Sequence, residues 1–322
     1  MARHRIERRD FLKRASTLAA AAAAFRVGSA DLLASPQRGA APTAPAPSGP
    51  RKFSLAHLTV LGCAPPEMTY IAARAGYDFV SYRLIYMGLA GENNYDLSAN
   101  KDMLRQTKTA LATTGLKLQD IEVARIDDGL DPKKFLPAME IAAELGGKYV
   151  LANIWAKDRS FWVDCFGQLC DLAKPLGLTV QLEFVTFAQC KTLADAMEVL
   201  RKANRPNSGV LVDMLHFSRS RVTLAELDAV PREWFRFAHL CDAPADIPTT
   251  NDGLIQTARQ ERLYPGEGGI DIAAILNRLP VVPCSIEIPH LARVKEIGYA
   301  EHAFRCLQQS KAYLAAHPHP RG

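Results

Sequence analysis

From Phe53 onward, short apolar runs alternate with longer stretches of helical period. The apolar runs predict strands over 53–61, 79–84, 116–123, 149–154, 179–184, 209–213, 235–241 and 284–288. They are rich in β-branched and aromatic residues, and Gly209-Val-Leu-Val212 runs apolar or small straight into Asp213. That reads as strands buried on both sides, as in a parallel sheet covered by helices. Between them the pattern predicts helices. One opens at Pro65-Pro66 and closes at Gly76; another runs from Lys101 to Thr114 before Gly115. Asp131-Pro132 supplies a cap and a first-turn proline for a helix ending at Gly146-Gly147. A further helix runs to Leu176, and Thr192 with Asp195 has capping-box spacing for one ending at Asn204. A short helix is expected at 224–229, a helical piece in the long loop after Cys241, and helices at 271–278 and 299–316.

Eight strand–helix units in roughly 270 residues predict a single (β/α)8 TIM barrel of the α/β class. A doubly wound open sheet would place a glycine-rich phosphate turn after the first strand. Val60-Leu-Gly-Cys-Ala-Pro-Pro66 has one glycine and two prolines instead. The chain also lacks a P-loop and a Gly-x-Ser-x-Gly elbow.

Four successive strands end on residues that bind metals: Glu183, Asp213, His239 and Glu287. In a parallel barrel the C-terminal strand ends surround one pit, and chemistry sits there. Alone, each has an ordinary reading as a salt-bridged carboxylate or a hydrogen-bonded core histidine. Together, three carboxylates would repel one another unless a cation joined them. The oxygen-rich set favours Mn²⁺ or Mg²⁺, with Co²⁺ or Zn²⁺ also compatible. Further candidates are His57, facing the pit or packed in the core, and Arg83, holding a substrate oxygen or a carboxylate such as Glu122. Trp155 either walls the pocket, since aromatic faces suit sugar C–H surfaces, or simply packs.

The N-terminus is of another kind. Arg8-Arg9-Asp-Phe-Leu-Lys13 precedes an uncharged Ala-rich run, Ala15 to Phe25. This resembles a twin-arginine signal over residues 1–35, which implies export of the folded chain to the periplasm. The Ala/Pro-rich stretch 36–52 reads as a linker, and 53–316 as the barrel. The apolar run is shorter than the ~20 residues of a membrane span, so no stable span is expected after signal removal. Residues 1–50 hold 8 of the 39 Lys+Arg and 3 of the 34 Asp+Glu, leaving 31 of each. The remainder is near neutral, with no electrostatic footprint for nucleic acid. The seven cysteines lack metal-ligand spacing and read as small buried hydrophobes.

From 179 to 290 above all, the chain resembles the xylose-isomerase-like barrel family of sugar isomerases and epimerases. The carrying pieces are Gln181-Leu-Glu183, Val212-Asp-Met-Leu-His216, His239-Leu-Cys-Asp242, Tyr264-Pro-Gly-Glu-Gly268 and Ser285-Ile-Glu287. The resemblance implies a divalent metal on Glu183, Asp213, His239 and Glu287, with both glutamates serving as acid and base. It implies for His216 a place either behind the metal ligands or at the substrate, a substrate contact from Glu267 in the Pro-Gly-Glu-Gly loop, and a small sugar-like substrate; an oligomer is compatible with this reading. Ketose epimerases usually carry an Arg a few residues beyond the seventh-strand His; here Ala243-Pro-Ala-Asp-Ile-Pro248 follows. The implied reaction is isomerisation or epimerisation through an enediolate. Loss of a β-hydroxyl, as in 3-dehydroshikimate dehydratase, is the alternative, and a metal-free sugar-binding module is the rival outside enzymes.

Overall fold

The computed structural model describes residues 51–319; the signal-like segment and all but the last two residues of the linker lie outside the described residues. Eight parallel strands close into a barrel in sequence order, β8 pairing back onto β1. They are β1 (Phe53–Ala56), β2 (Phe79–Arg83), β3 (Lys117–Ile126), β4 (Tyr149–Ile154), β5 (Thr179–Glu183), β6 (Ser208–Asp213), β7 (Ala238–Leu240) and β8 (Cys284–Ile286). Around them run α1 (Pro65–Ala75), α2 (Lys101–Thr114), α3 (Leu136–Glu144), α4 (Arg159–Ala173), α5 (Leu193–Ala203), α6 (Met214–Arg219), α7 (Leu224–Asp228), α8 (Asn251–Gln260), α9 (Ile272–Arg278) and α10 (Leu291–Ala316). Among the described residues no helix is long and apolar enough to cross a membrane.

Strand periodicity divides the side chains between two environments. Val180 and Leu182 on β5, Val210 and Val212 on β6, Ala238 and Leu240 on β7, and Cys284 and Ile286 on β8 join the large core beneath the helices. The alternate residues belong to the inner side. There Val123, Leu151, Leu211 and Phe237 form a separate small apolar cluster. The same alternation gives Gln181, Glu183, Asp213, His239, Ser285 and Glu287, all buried, to that inner side. Gly209 is required on β6: a Cβ there would lie 2.3 Å from the Trp234 carbonyl oxygen and 2.6 Å from Gln181 Nε2.

Local chemistry sets the boundaries. Thr192 and Asp195 form the expected capping box at the start of α5, and Gly76 and Gly115 close α1 and α2 in the left-handed region. Several boundaries depart from expectation, β7 among them, which is confined to Ala238–Leu240. β1 stops at Ala56 and His57–Val60 turn into a 3-10 helix, because the His57 ring reaches the Cys63 carbonyl at 2.7 Å and the Thr59 hydroxyl reaches the Ile286 carbonyl at 2.9 Å. The chain enters α6 directly from β6, since the Asp213 carboxylate caps it. The last helix begins at Leu291 rather than near Tyr299, with non-helical backbone at Gly298 marking a kink.

Candidate active site

Each strand-end residue reaches the mouth by its place in the alternation. Asp213 and His239 stand opposite one another in the β6–β7 register, and His239 stands opposite Ser285 on β8. Glu287 follows β8 by one residue, where its N–H donates to the Leu240 carbonyl at 3.1 Å. The result brings Glu183, Asp213, His239 and Glu287 together, all buried, with one potential ligand atom of each within 4.8 Å of the others. His239 Nδ1 lies 3.5 Å from Glu183 Oε1, 3.6 Å from Asp213 Oδ2 and 3.3 Å from Glu287 Oε2. Neither ring nitrogen has a hydrogen-bond partner. A buried imidazole with idle nitrogens, faced by three carboxylates, fits a cation-binding centre.

Asp213 has two tasks. Its Oδ1 accepts the His216 backbone N–H at 3.0 Å, capping α6, while Oδ2 faces the cluster. The three-residue spacing from Asp213 to His216 is thus the geometry of a helix cap. It also carries the His216 ring to the pocket wall, edge-on to Phe187 at 5.5 Å between centroids.

The sequence reading missed Arg262. Its guanidinium enters the cluster from beyond α8, with Nη1 2.5 Å from Asp213 Oδ2 and Nη2 2.9 Å from Glu287 Oε2. Its Nε donates to the Ala258 carbonyl at 2.8 Å. The loop placing it is organised around Asp242. That carboxylate accepts N–H groups from Ala243, Gly266, Gly268 and Ile270 at 2.8 to 3.1 Å, while the Asp242 and Leu263 backbones pair. Gly268 allows the wrap, since a Cβ there would lie 2.2 Å from the Ala243 carbonyl oxygen.

Electrostatics follow from this packing. Burial pushes the Asp213 carboxyl up, but Arg262, His216 and His239 outweigh it and hold the group well below its usual range. Burial likewise raises Glu287, and His239 with Arg262 bring it down overall. Burial disfavours the His239 cation, yet the surrounding carboxylates, Glu287 first, hold its affinity for a proton well above normal. The same negative field that would hold a proton on His239 would hold a metal cation.

Above the cluster opens a pocket onto which Glu183 and Glu287 face, with Arg83, Asn153, Trp155, Phe187, His216, Arg259 and Arg262 also on its walls. Asp213 and His239 are not on that wall. Arg83 is held between Glu92 at 3.1 Å and Glu122 at 3.3 Å. Trp155 donates its indole N–H to Asn153 Oδ1 at 3.0 Å, which leaves the Asn153 amide hydrogens unused. Two residues expected at the substrate are not on the wall. His57 is buried with both ring nitrogens occupied: Nε2 at the Cys63 carbonyl, and Nδ1 accepting the Arg83 N–H at 3.0 Å. Glu267 accepts the Tyr264 N–H at 3.0 Å and pairs with Arg293 at 2.9 Å on the outside of the Asp242 loop.

Comparison with known proteins agrees with this architecture. Inosose isomerase of Bacillus subtilis is 29% identical over 178 residues, which are 52% of this chain and 56% of that protein. The chain therefore spans little more than half the length of that relative. The 3-dehydroshikimate dehydratase of Pseudomonas aeruginosa is 27% identical over 254 residues, 73% of this chain and 37% of that longer protein. Among solved structures, the IOLI protein with a bound zinc atom superposes with a TM-score of 0.70 at 22% identity, covering 83% of this chain and 99% of that one. A family profile described as a xylose isomerase-like TIM barrel matches residues 70–309, and the protein belongs to that family.

Proposed function

We propose that the protein is a divalent-metal-dependent isomerase or epimerase of a sugar-derived hydroxy-carbonyl compound. The observation that carries this reading is the division of the cluster: Glu183 and Glu287 face the pocket, and Asp213 and His239 lie behind them. All four would hold the ion, with Mn²⁺ or Mg²⁺ preferred by the oxygen-rich set and Co²⁺ or Zn²⁺ accommodated. A cation bound by these residues would supply the electrophile that makes the C–H beside a substrate carbonyl acidic. One glutamate then removes that proton, and the other returns a proton to the next carbon or the opposite face. Arg262 fixes the Glu287 carboxylate, and its charge would favour negative charge developing on a substrate oxygen at this end of the pocket. Asn153 and His216 orient substrate hydroxyls, while Trp155 and Phe187 cover its C–H surface.

A dehydratase is the second reading. The similarity to 3-dehydroshikimate dehydratase runs along 73% of the chain, against 52% for inosose isomerase. The same proton removal followed by loss of a β-hydroxyl gives that outcome. Incubation of the metal-loaded protein with ketoses, keto acids and oxidised sugars in D₂O separates the readings. Deuterium beside the carbonyl in a product of unchanged formula supports isomerase or epimerase; a product lighter by one water supports dehydratase. Ligand binding without exchange would leave a sugar-binding module. We place this chemistry in the periplasm, after export directed by Arg8-Arg9 and the Ala-rich run. With both arginines replaced by lysine, the precursor should stay in the cytoplasm; normal export would refute a twin-arginine route.

A further inference from the structure

Three arginines line the pocket, and they are not used alike. Arg83 is held by Glu92 and Glu122, and Arg262 by Asp213 and Glu287. Arg259, in the last turn of α8, has no carboxylate and no hydrogen bond among the described residues. Its contact is with an aromatic ring, the guanidinium lying 5.7 Å from the Phe187 centroid. Phe187 in turn packs on Trp155 at 5.9 Å, and Trp155 carries the Arg125 guanidinium at 4.1 Å. Two guanidinium groups thus flank one aromatic pair. Arg125 is answered by Asp127 at 2.8 Å; among the described residues no carboxylate pairs with Arg259.

A half-buried guanidinium without an anion is costly, because burial removes water and no counter-charge replaces it. Burial pulls the Arg259 pKa down first, Arg83 and Arg125 push it further, and Glu92 alone opposes them. The protein keeps positive charge on a pocket wall where it repels its neighbours. A ligand anion would cancel that repulsion.

We infer that the substrate carries a carboxylate, which the Arg259 guanidinium binds while the hydroxy-carbonyl end lies at Glu183 and Glu287. This deepens the proposed function and rests on the reading of the pocket as the substrate site. A carboxylate fits better than a phosphate ester. The planar fork of one guanidinium matches two coplanar oxygens, and the pocket wall contains no lysine to help with a third oxygen.

The test uses three ketoses that differ at one carbon: D-fructose, D-fructuronate and D-fructose 6-phosphate, together with the same three end groups on the tagatose skeleton. Calorimetry with the metal-loaded protein and with the Arg259→Gln variant measures binding directly, and Arg259→Lys tests whether charge without the fork suffices. Charge-assisted hydrogen bonding predicts binding of at least one uronate about 10- to 100-fold tighter than its neutral partner. Arg259→Gln should remove that preference and leave neutral-ketose affinity within about twofold, with Arg259→Lys intermediate. No uronate preference in either series, a preference that survives Arg259→Gln, or stronger binding of the phosphate would overturn the inference. Deuterium exchange separates this result from the reaction itself. Exchange into neutral ketoses without acid preference would defeat the carboxylate and keep the isomerase. Arg259-dependent uronate binding without exchange or water loss would do the reverse.

Discussion

Arg262 Nη1 lies 2.5 Å from Asp213 Oδ2, so the chain itself inserts a cation into the carboxylate cluster. The two residues are 49 apart in sequence, and the pair is buried on both sides. A second nitrogen of the same guanidinium holds Glu287. Without that charge, three buried carboxylates would face one imidazole, an arrangement that burial makes unfavourable.

Replacing Arg262 by Met should therefore destabilise the metal-free protein by about 3–5 kcal/mol, the usual cost of removing one partner from a buried ion pair. A divalent ion would take over part of the neutralisation. Thermal melts with EDTA and with Mn²⁺ should show a larger metal-induced gain in Tm for Arg262→Met than for the wild type. Equal gains would mean that the guanidinium and the ion do not share a field.

Asp213→Ala removes a candidate ligand and the α6 cap together. Metal content by elemental analysis should fall from near one ion per chain to a small fraction. Losing the cap should cost about 1 kcal/mol, and leaving Arg262 without Asp213 about 3–5 kcal/mol more, so circular dichroism must show a folded variant before its metal content is read. Full metal occupancy in folded Asp213→Ala would remove this aspartate from the ligand set.

Two buried histidines give the fold an acid-sensitive edge. Burial lowers His57 to about 4, against the raising effect of the Cys63 carbonyl, and lowers His302 to about 4 against that of the Ile288 carbonyl. Both start near 6.5 in an unfolded chain. The unfolded chain thus binds protons that the folded chain refuses. This stability is fully present above pH 6.5 and is lost as pH falls toward 4, by up to roughly 3 kcal/mol per histidine. Urea unfolding at pH 7 and pH 5 should show the loss. His302→Gln should reduce the difference between the two pH values, even if it lowers stability at both; an unchanged difference would contradict a neutral His302.

How far the sequence carried the fold and the site depends on range. Residues such as Val180, Leu182 and Val210 announce buried strands because a period-two position under a helix must be apolar. The intrusion of Glu183, Asp213, His239 and Glu287 at strand ends was equally legible, since a parallel barrel brings all such ends to one mouth. Arg262 was not, because it follows a short helix and reaches the cluster through a loop tied by Asp242. The available signal was the Tyr264-Pro-Gly-Glu-Gly268 turn, read as a source of substrate contact through Glu267. The structure gives its backbone, rather than that side chain, the organising part. His57 kept two readings for a related reason: the local hydrogen bonds of a 3-10 turn that occupy its ring, and give it the core reading, are invisible in an apolar run.

The two pocket-facing glutamates allow the sharpest functional prediction. A positioned carboxylate base contributes roughly 10²–10⁴-fold to proton transfer. Glu183→Gln and Glu287→Gln keep shape and most hydrogen bonding but remove the basic oxygen, so each should slow turnover by at least that factor at saturating metal. Both residues are also candidate ligands, and metal content must be measured beside rate so that a lost base is distinguished from a lost ion. With the ion retained, the two variants should then differ in kind. The glutamate that removes the substrate proton should lose solvent deuterium exchange together with turnover. Its partner should keep exchange at the first carbon and lose only conversion to product. Glu267→Gln is the control, since that carboxylate pairs with Arg293 away from the pocket wall, and its rate should stay within about twofold of wild type on the scale of ordinary surface changes. Wild-type turnover in either pocket glutamate variant, with full metal, would end the assignment of that residue as acid or base.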